Sequence, residues 1–499
     1  MSAFIDARTV PEGTVLEPDL AIVGGGPAGI ALTLALAGTP LRMVLLESGG
    51  MKFDAKTQAL YAGSTVGAPY LTLEASRLRF LGGSSNHWGG WCRPMDEIDF
   101  EERDWLPYSG WPFLFKDIAR YFPQAQSLCE AGPFLYDKVG KYASSLGPAL
   151  PLGDGGVVTR WFQFSKMRGS ELPTHFGERY AGDLKRIPRL STYLHANVTR
   201  LGLDRGGAKI NELDVATLSD RKFKVKPKIT VLAMGAIEIA RLMLVSDDVM
   251  PAGVGNDHDL VGRFFADHPV PRDTATLVLF DGKLAPFYTS IQNVRGAIVR
   301  AGLFPSEKYR RSYAVMGSST TVENKTELDE LGKAALTVTA AALGMDAGDA
   351  AAFSLGGGME VAPDRDRRLA LDRQRDALGL PKLKLHMRIA DSDFAHYRET
   401  LKELGRQLLA SRIGMLRLNR KERGEWLEGL DWGNHHMGTT RMHVDPRQGV
   451  ADANLRVHGV SNLFVAGSSV FPTYGAANPT LNLLALVLRL ADHLKGLRQ

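Results

Sequence analysis

Two stretches near the carboxyl end of this chain concentrate residues that do chemistry. The first is Asn434-His435-His436-Met437-Gly438-Thr439-Thr440-Arg441-Met442-His443. The second is Tyr474-Gly475-Ala476-Ala477-Asn478-Pro479-Thr480, which opens a long apolar helical pattern. A neutral imidazole, with an ordinary pKa of about 6.5, takes a proton at physiological pH. A carboxamide holds a hydroxyl by hydrogen bond without competing for that proton. The pairing suits general-base removal of a proton from a hydroxyl held in place. The other end of the chain carries a second signal.

Leu20 to Val23 is a short apolar run, suited to a parallel strand buried on both faces. Gly24-x-Gly26-x-x-Gly29 follows directly, and an Ala/Leu-rich helical pattern begins at once. Gly24 permits the tight turn, Gly26 lets a pyrophosphate approach the backbone, and Gly29 lets helix and strand pack closely. The helix N-terminus offers free N–H groups and a positive dipole end to the phosphates. A second apolar strand, Leu41 to Leu46, ends in Glu47, eighteen residues beyond Gly29, where a ribose-binding carboxylate belongs. Strand, triplet, helix, strand and acid in this order predict an ADP-binding unit. FAD is the expected cofactor, with NAD the rival that shares the fingerprint.

Arg77 to Pro94 holds the next signal. Its glycines leave the backbone bare, while Gly83, Ser84, Asn86, His87 and Trp88 offer polar edges and bulk. That suits a loop lying against a flat ring system, a flavin; a Gly-rich turn with packed tryptophans is the alternative. Lys228 to Leu244 runs from apolar strand through Ala233-Met234-Gly235 into a helix, as in a doubly wound nucleotide fold. Leu463 to Val465 reads as a buried strand with a tight exit at Gly467. Asn478-Pro479-Thr480 then sits at a helix N-terminus, able to face the electron-rich edge of a flavin. His268, just before Pro269, reads as structural rather than catalytic.

These pieces must be positioned by an α/β fold: a discontinuous, doubly wound FAD-binding domain with an inserted α+β substrate domain built on an antiparallel sheet. The expected division is 1–110, 190–269 and 432–499 for the cofactor, with 111–189 and 270–431 for substrate and covering loops. Alternation at 275–280 and 296–299 predicts the antiparallel sheet. Lys116 to Cys129 reads as a surface helix, and 135–151 as a loop over the site. Leu331 to Phe353 reads as Ala-rich and helical with a break at 344–349, strands resume at Met359 and Leu383, and Asp391 to Ala410 reads as a helix.

With 44% hydrophobic and 23% charged residues, the composition is that of an ordinary soluble protein. A net charge of +5 against 60 basic and 55 acidic residues, with no basic run, gives no nucleic-acid footprint. Cys92 and Cys129 form neither a disulfide framework nor a metal-ligand pattern, so no metal is expected. Neither a signal peptide nor a membrane span is visible, which makes the cytoplasm the default; export beside a signal-bearing partner stays open.

At Gly24–Glu47, Gly82–Gly90, Val231–Glu238, His435–Met442 and Asp452–Thr480 the sequence resembles the glucose-methanol-choline oxidoreductase family. It is most similar to the branch of pyranose oxidases and fructose- or glucoside-dehydrogenase-like flavoproteins. The resemblance implies His435 as catalytic base, by its spacing to Gly438-Thr439, with Asn478 as its partner. Some members link flavin through the histidine of a Ser-x-His-Trp motif, here His87, but Gly89-Gly90 after the tryptophan departs from that pattern. The implied reaction is oxidation of a secondary hydroxyl, C2 or C3, of a sugar or glycoside to a ketone, with hydride transfer to flavin N5. Oxygen or another electron acceptor completes it, and a homo-oligomer or small partner subunit stays open. A non-sugar alcohol is the alternative substrate, and a non-catalytic binding protein on the same fold is the third reading.

Overall fold

The computed structural model describes residues 4–136, 138–153, 155–167, 170–420 and 422–497. At its centre is a six-stranded sheet in the order Phe4–Asp6, Leu190–Leu194, Met43–Leu46, Leu20–Val23, Ile229–Leu232, Leu463–Val465. All five neighbouring pairs are parallel. Leu20–Val23 and Met43–Leu46 are buried at every position, as strands covered by helices on both faces must be.

From Leu20–Val23 the chain turns first toward Met43–Leu46 and later, on the other side, toward Ile229–Leu232. The carboxyl end of Leu20–Val23 is therefore the switch point where an open α/β sheet forms its ligand crevice. The helix Pro27–Ala35 rises from it and packs against the last helix, Pro479–Gly496. Gly29 makes this fit: a Cβ there would lie 1.9 Å from the Gly24 carbonyl oxygen.

Over the crevice stands an eight-stranded sheet, with Gly414–Leu418, Ala275–Leu279, Ala351–Met359, Ser318–Thr326, Ala297–Pro305, Val157–Phe164 and Trp91–Cys92 in order and Gln292–Val294 beside Ala297–Pro305. Its pairings are antiparallel. Trp91–Cys92, expected on the cofactor side, is its edge strand. A register shift between Val322 and Lys325 breaks the alternation, so Glu323 and Asn324 both line the cavity. Helix Asp391–Ala410 lies behind, where expected.

Several expectations are corrected. The helical stretch ends at Leu343 with Gly344 in the left-handed cap; Ala351–Met359 is already a strand, paired with Ala275–Leu279. Residues 116–129 form two short helices, Lys116–Ala119 and Phe122–Leu128, that bury Ile118, Phe122 and Ala125 instead of lying on the surface. The stretch 135–151 includes a helical turn, Val139–Tyr142, and none of its described residues lines the cavity. Val139 is buried in the core instead.

Candidate active site

One cavity of about 930 Å³ runs from the Gly24–Gly26 turn to the antiparallel sheet. Gly24, Gly26 and Glu47 line one end, with Gly83, Ser84, His87 and Trp88 along its side. Ala233, Gly467, Asn478, Pro479 and Thr480 line the middle, as does His435. Segments more than 400 residues apart in sequence thus meet at one surface. Gly29 lies outside it, in the helix–strand contact. Asn86 is a correction: its amide donates to the carbonyls of Leu81 and Gly83, at 3.0 and 2.9 Å, and so shapes the loop from within.

At the first end, Gly26 has open space where a Cβ would be, so its backbone is accessible from the cavity. The Glu47 carboxylate accepts from the backbone N–H of Gly25 and of Gly49, both at 2.7 Å. Burial nevertheless raises its pKa. The neighbouring loop is held from below by Arg77 and Arg79, each 3.0 Å from Glu238 in the first turn of Ala236–Val245. Burial pushes the Glu238 carboxyl up, but Arg77, Arg241 and Arg79 outweigh it and hold the pKa at about 2. Trp88 donates its indole N–H to the Thr174 carbonyl at 3.0 Å, which fixes the ring against the cavity.

At the other end the histidines converge. His435 Nε2 lies 3.2 Å from the Asn478 side-chain nitrogen, and His435 Nδ1 lies 2.9 Å from His268 Nδ1. His268 Nε2 is 2.9 Å from the Gly475 carbonyl oxygen. Asp267 clamps the group, its Oδ1 accepting from the backbone N–H of both His268 and His435 at 2.7 Å. Tyr70 donates to its Oδ2 at 2.7 Å. Burial raises the Asp267 carboxyl to about 7 in spite of these donors. Burial, then the nearness of His268 and His436, holds His435 well below the usual imidazole range, so it is neutral at physiological pH. Gly433 makes room for the ring: a Cβ there would meet His435 Nδ1 at 2.5 Å.

Sequence reasoning set His268 aside, and its tie to His435 shows only in three dimensions. Also unforeseen are the polar residues facing the cavity from the antiparallel sheet, Arg300, Ser319, Thr321, Glu323 and Asn324. Ser319, Thr321 and Glu323 alternate on one strand, a period-two signal that was legible once that strand was placed.

Two buried polar atoms on the cavity wall, His436 Nε2 and Asn434 Oδ1, have no hydrogen-bond partner. Unpaired buried polar groups are costly, so a polar ligand belongs beside them. With the glycine turn, Glu47 and a helix N-terminus on the same wall, the residues fit a flavin dinucleotide. The fold and this site are those of a dinucleotide-binding protein.

Residues 363–486 match the family model of the GMC oxidoreductases. A 2-methyl-1,2-propanediol dehydrogenase from Mycolicibacterium austroafricanum is 23% identical over 553 aligned positions, covering 96% of this chain and 95% of that protein. A C-glycoside 3-oxidase from Microbacterium trichothecenolyticum is 34% identical over 130 positions, 26% of this chain and 24% of that one. The crystal structure of a formate oxidase shares the fold, with a TM-score of 0.62 at 16% identity over 98% of this chain and 99% of that one. Residues 363–486 thus carry a GMC oxidoreductase domain, and the chain is an FAD-dependent oxidoreductase acting on CH–OH groups. Among the described residues no helix is long and apolar enough to cross a membrane, and no cluster of ligands could hold a metal ion.

Proposed function

We propose that this enzyme oxidises a secondary hydroxyl, at C2 or C3, of a sugar or glycoside to a ketone, with His435 as base. The observation that carries the reading is the His435–Asn478 pair, 3.2 Å apart and facing a cavity whose far wall is polar. Bound FAD supplies the hydride acceptor. His435 Nε2 takes the hydroxyl proton, and the Asn478 amide holds the same oxygen so that the carbinol hydrogen is aimed. Gly24, Gly26 and the N-terminus of Pro27–Ala35 hold the pyrophosphate, and Glu47 the ribose. Gly83, Ser84, His87, Trp88, Ala233 and Gly467 hold the ring, with Pro479 and Thr480 at the helix N-terminus beside it. Retention of yellow colour by acid-precipitated protein would show a covalent bond through His87; a yellow supernatant would exclude it.

The polar wall favours a polyol: Arg300, Thr321, Glu323 and Asn324 offer donors and acceptors to hydroxyls remote from the reacting carbon. The C-glycoside 3-oxidase relative supports the same substrate class. A second reading, a small non-sugar alcohol, has its own support in the propanediol dehydrogenase that aligns along nearly the whole chain. An anaerobic screen separates them: bleaching of the flavin by glycosides and not by small diols supports the sugar reading, and the converse overturns it.

A further inference from the structure

We infer that His268 is a positioning residue that fixes the tautomer of His435, leaving the cavity-facing nitrogen of His435 bare to receive the substrate proton. This rests on the reading of His435 as the base.

The chain of bonds begins at a backbone carbonyl. The Gly475 oxygen can only accept, so His268 Nε2, 2.9 Å away, carries a hydrogen. A neutral imidazole has one N–H, so His268 Nδ1 is an acceptor. His435 Nδ1, 2.9 Å from it, must donate. The remaining nitrogen of His435, Nε2, then carries no hydrogen and accepts from the Asn478 amide at 3.2 Å, with the lone pair that a substrate hydroxyl would engage. The opposite tautomer would set two lone pairs against each other at the His268 contact and put a hydrogen where the substrate hydroxyl must give one up.

The starting carbonyl is itself held. Gly475 has φ +57°, and a Cβ there would lie 2.2 Å from the Asp99 carboxylate, so the turn is closed against that group. Thr473 donates to the Asp99 carbonyl at 2.7 Å, and the Tyr474 N–H reaches Glu360 at 3.3 Å. Asp99 is paired with the fully buried Arg310 at 2.7 Å. On the other side, Asp267 ties the backbones of both histidines together. Turning either ring breaks the His268–His435 contact, and turning His268 also breaks its bond to Gly475. His268 is 3% exposed, and burial holds its pKa at about 4, so it stays neutral and cannot present a second hydrogen to His435. When His435 takes the hydroxyl proton on Nε2, its Nδ1–H still points at His268 Nδ1, a charge-assisted bond that steadies the imidazolium. No proton passes to His268.

The test uses the FAD-loaded enzyme with nitrogen-15-labelled histidine and long-range proton–nitrogen NMR, which distinguishes bare from protonated ring nitrogens. His435 signals are identified by their loss in His435→Gln. In the oxidised enzyme without substrate, His435 should show a protonated Nδ1 and a bare Nε2, and His268 the reverse. Finding His435 with a protonated Nε2 overturns the inference whatever the substrate is. Two variants add the kinetic arm, with the flavin spectrum confirming retained cofactor. His268→Asn keeps an acceptor near the position of Nδ1 and should reduce its flavin within a few-fold of wild type. His268→Leu removes it and should slow reduction by about 10–100-fold, the usual cost of losing such a second partner. Wild-type reduction by His268→Leu, with the wild-type His435 tautomer, refutes the role while leaving His435 as base untouched. If His268→Leu does not fold, the NMR of the wild type and the rate of His268→Asn still decide.

Discussion

Gly433→Ala tests whether the His435 ring must sit where the structure puts it. The added Cβ would lie 2.5 Å from Nδ1, 2.8 Å from Cε1 and 3.0 Å from Cγ of His435. Ordinary van der Waals contact begins at 3.4 Å, so the ring must retreat by roughly an ångström. It cannot do so freely, because Nδ1 is bonded to His268 and the His435 backbone N–H to Asp267. A displacement of about 1 Å typically costs on the order of 10²-fold in rate, within the roughly 10²–10⁴-fold worth of a positioned base. Overpacking adds about 1–3 kcal/mol of destabilisation. The backbone at Gly433 is not left-handed, so alanine meets no conformational penalty of its own. The assay is anaerobic stopped-flow reduction of the flavin, with the visible spectrum reporting bound FAD. The expected outcome is a normal flavin spectrum with reduction slowed by about 100-fold. Reduction at the wild-type rate would refute the assignment of His435.

Gly29→Ala should fold poorly or lose FAD, because its Cβ would lie 1.9 Å from the Gly24 oxygen; normal flavin content in the purified variant would contradict that packing. Glu323→Gln and Asn324→Ala, placed on the far wall, should raise KM for the best sugar with little change in kcat; a loss confined to kcat would remove them from substrate binding. Stability offers a pH test. His268 has a folded pKa of about 4 against about 6.5 unfolded, so the unfolded chain binds the extra proton between those values and stability rises with pH there. Asp267, raised to about 7, acts in the opposite sense over the same window, so the wild type must be compared with His268→Asn. Relative to that variant the wild type should lose up to about 1.4 kcal/mol per pH unit as pH falls from 6.5 to 4, read as the difference in melting temperature. A difference independent of pH would show that His268 is not buried as a neutral ring.

The ends of the chain were legible because their constraints are local. Leu20–Val23, the glycine triplet and Glu47 form a unit within thirty residues, in which Gly29 packs on the Gly24 carbonyl and Gly26 keeps its backbone open to the cavity. Leu463–Val465 joins the same sheet because a short apolar run with a tight glycine exit has few other places to go. The middle was less legible. The break after Leu343 gave no sign that Ala351 begins a buried strand, since an Ala/Gly-rich run has neither helical nor strand periodicity of its own. Asn86 has the composition of a ring contact, yet the turn's own carbonyls claim its amide. His268 lies 167 residues from His435, and nothing in one sequence reports a bond between two rings that distant.

The central claim is a sugar hydroxyl oxidised by FAD with His435 as base. Its most direct test mixes the anaerobic FAD-loaded enzyme with a panel of glycosides, follows the flavin, and identifies the product, for wild type and His435→Ala. Rapid bleaching by a glycoside, a C2 or C3 keto product, and a rate at least about 100-fold lower in His435→Ala with FAD still bound are expected. Equal bleaching rates in the two proteins, or bleaching by small alcohols alone, would contradict it.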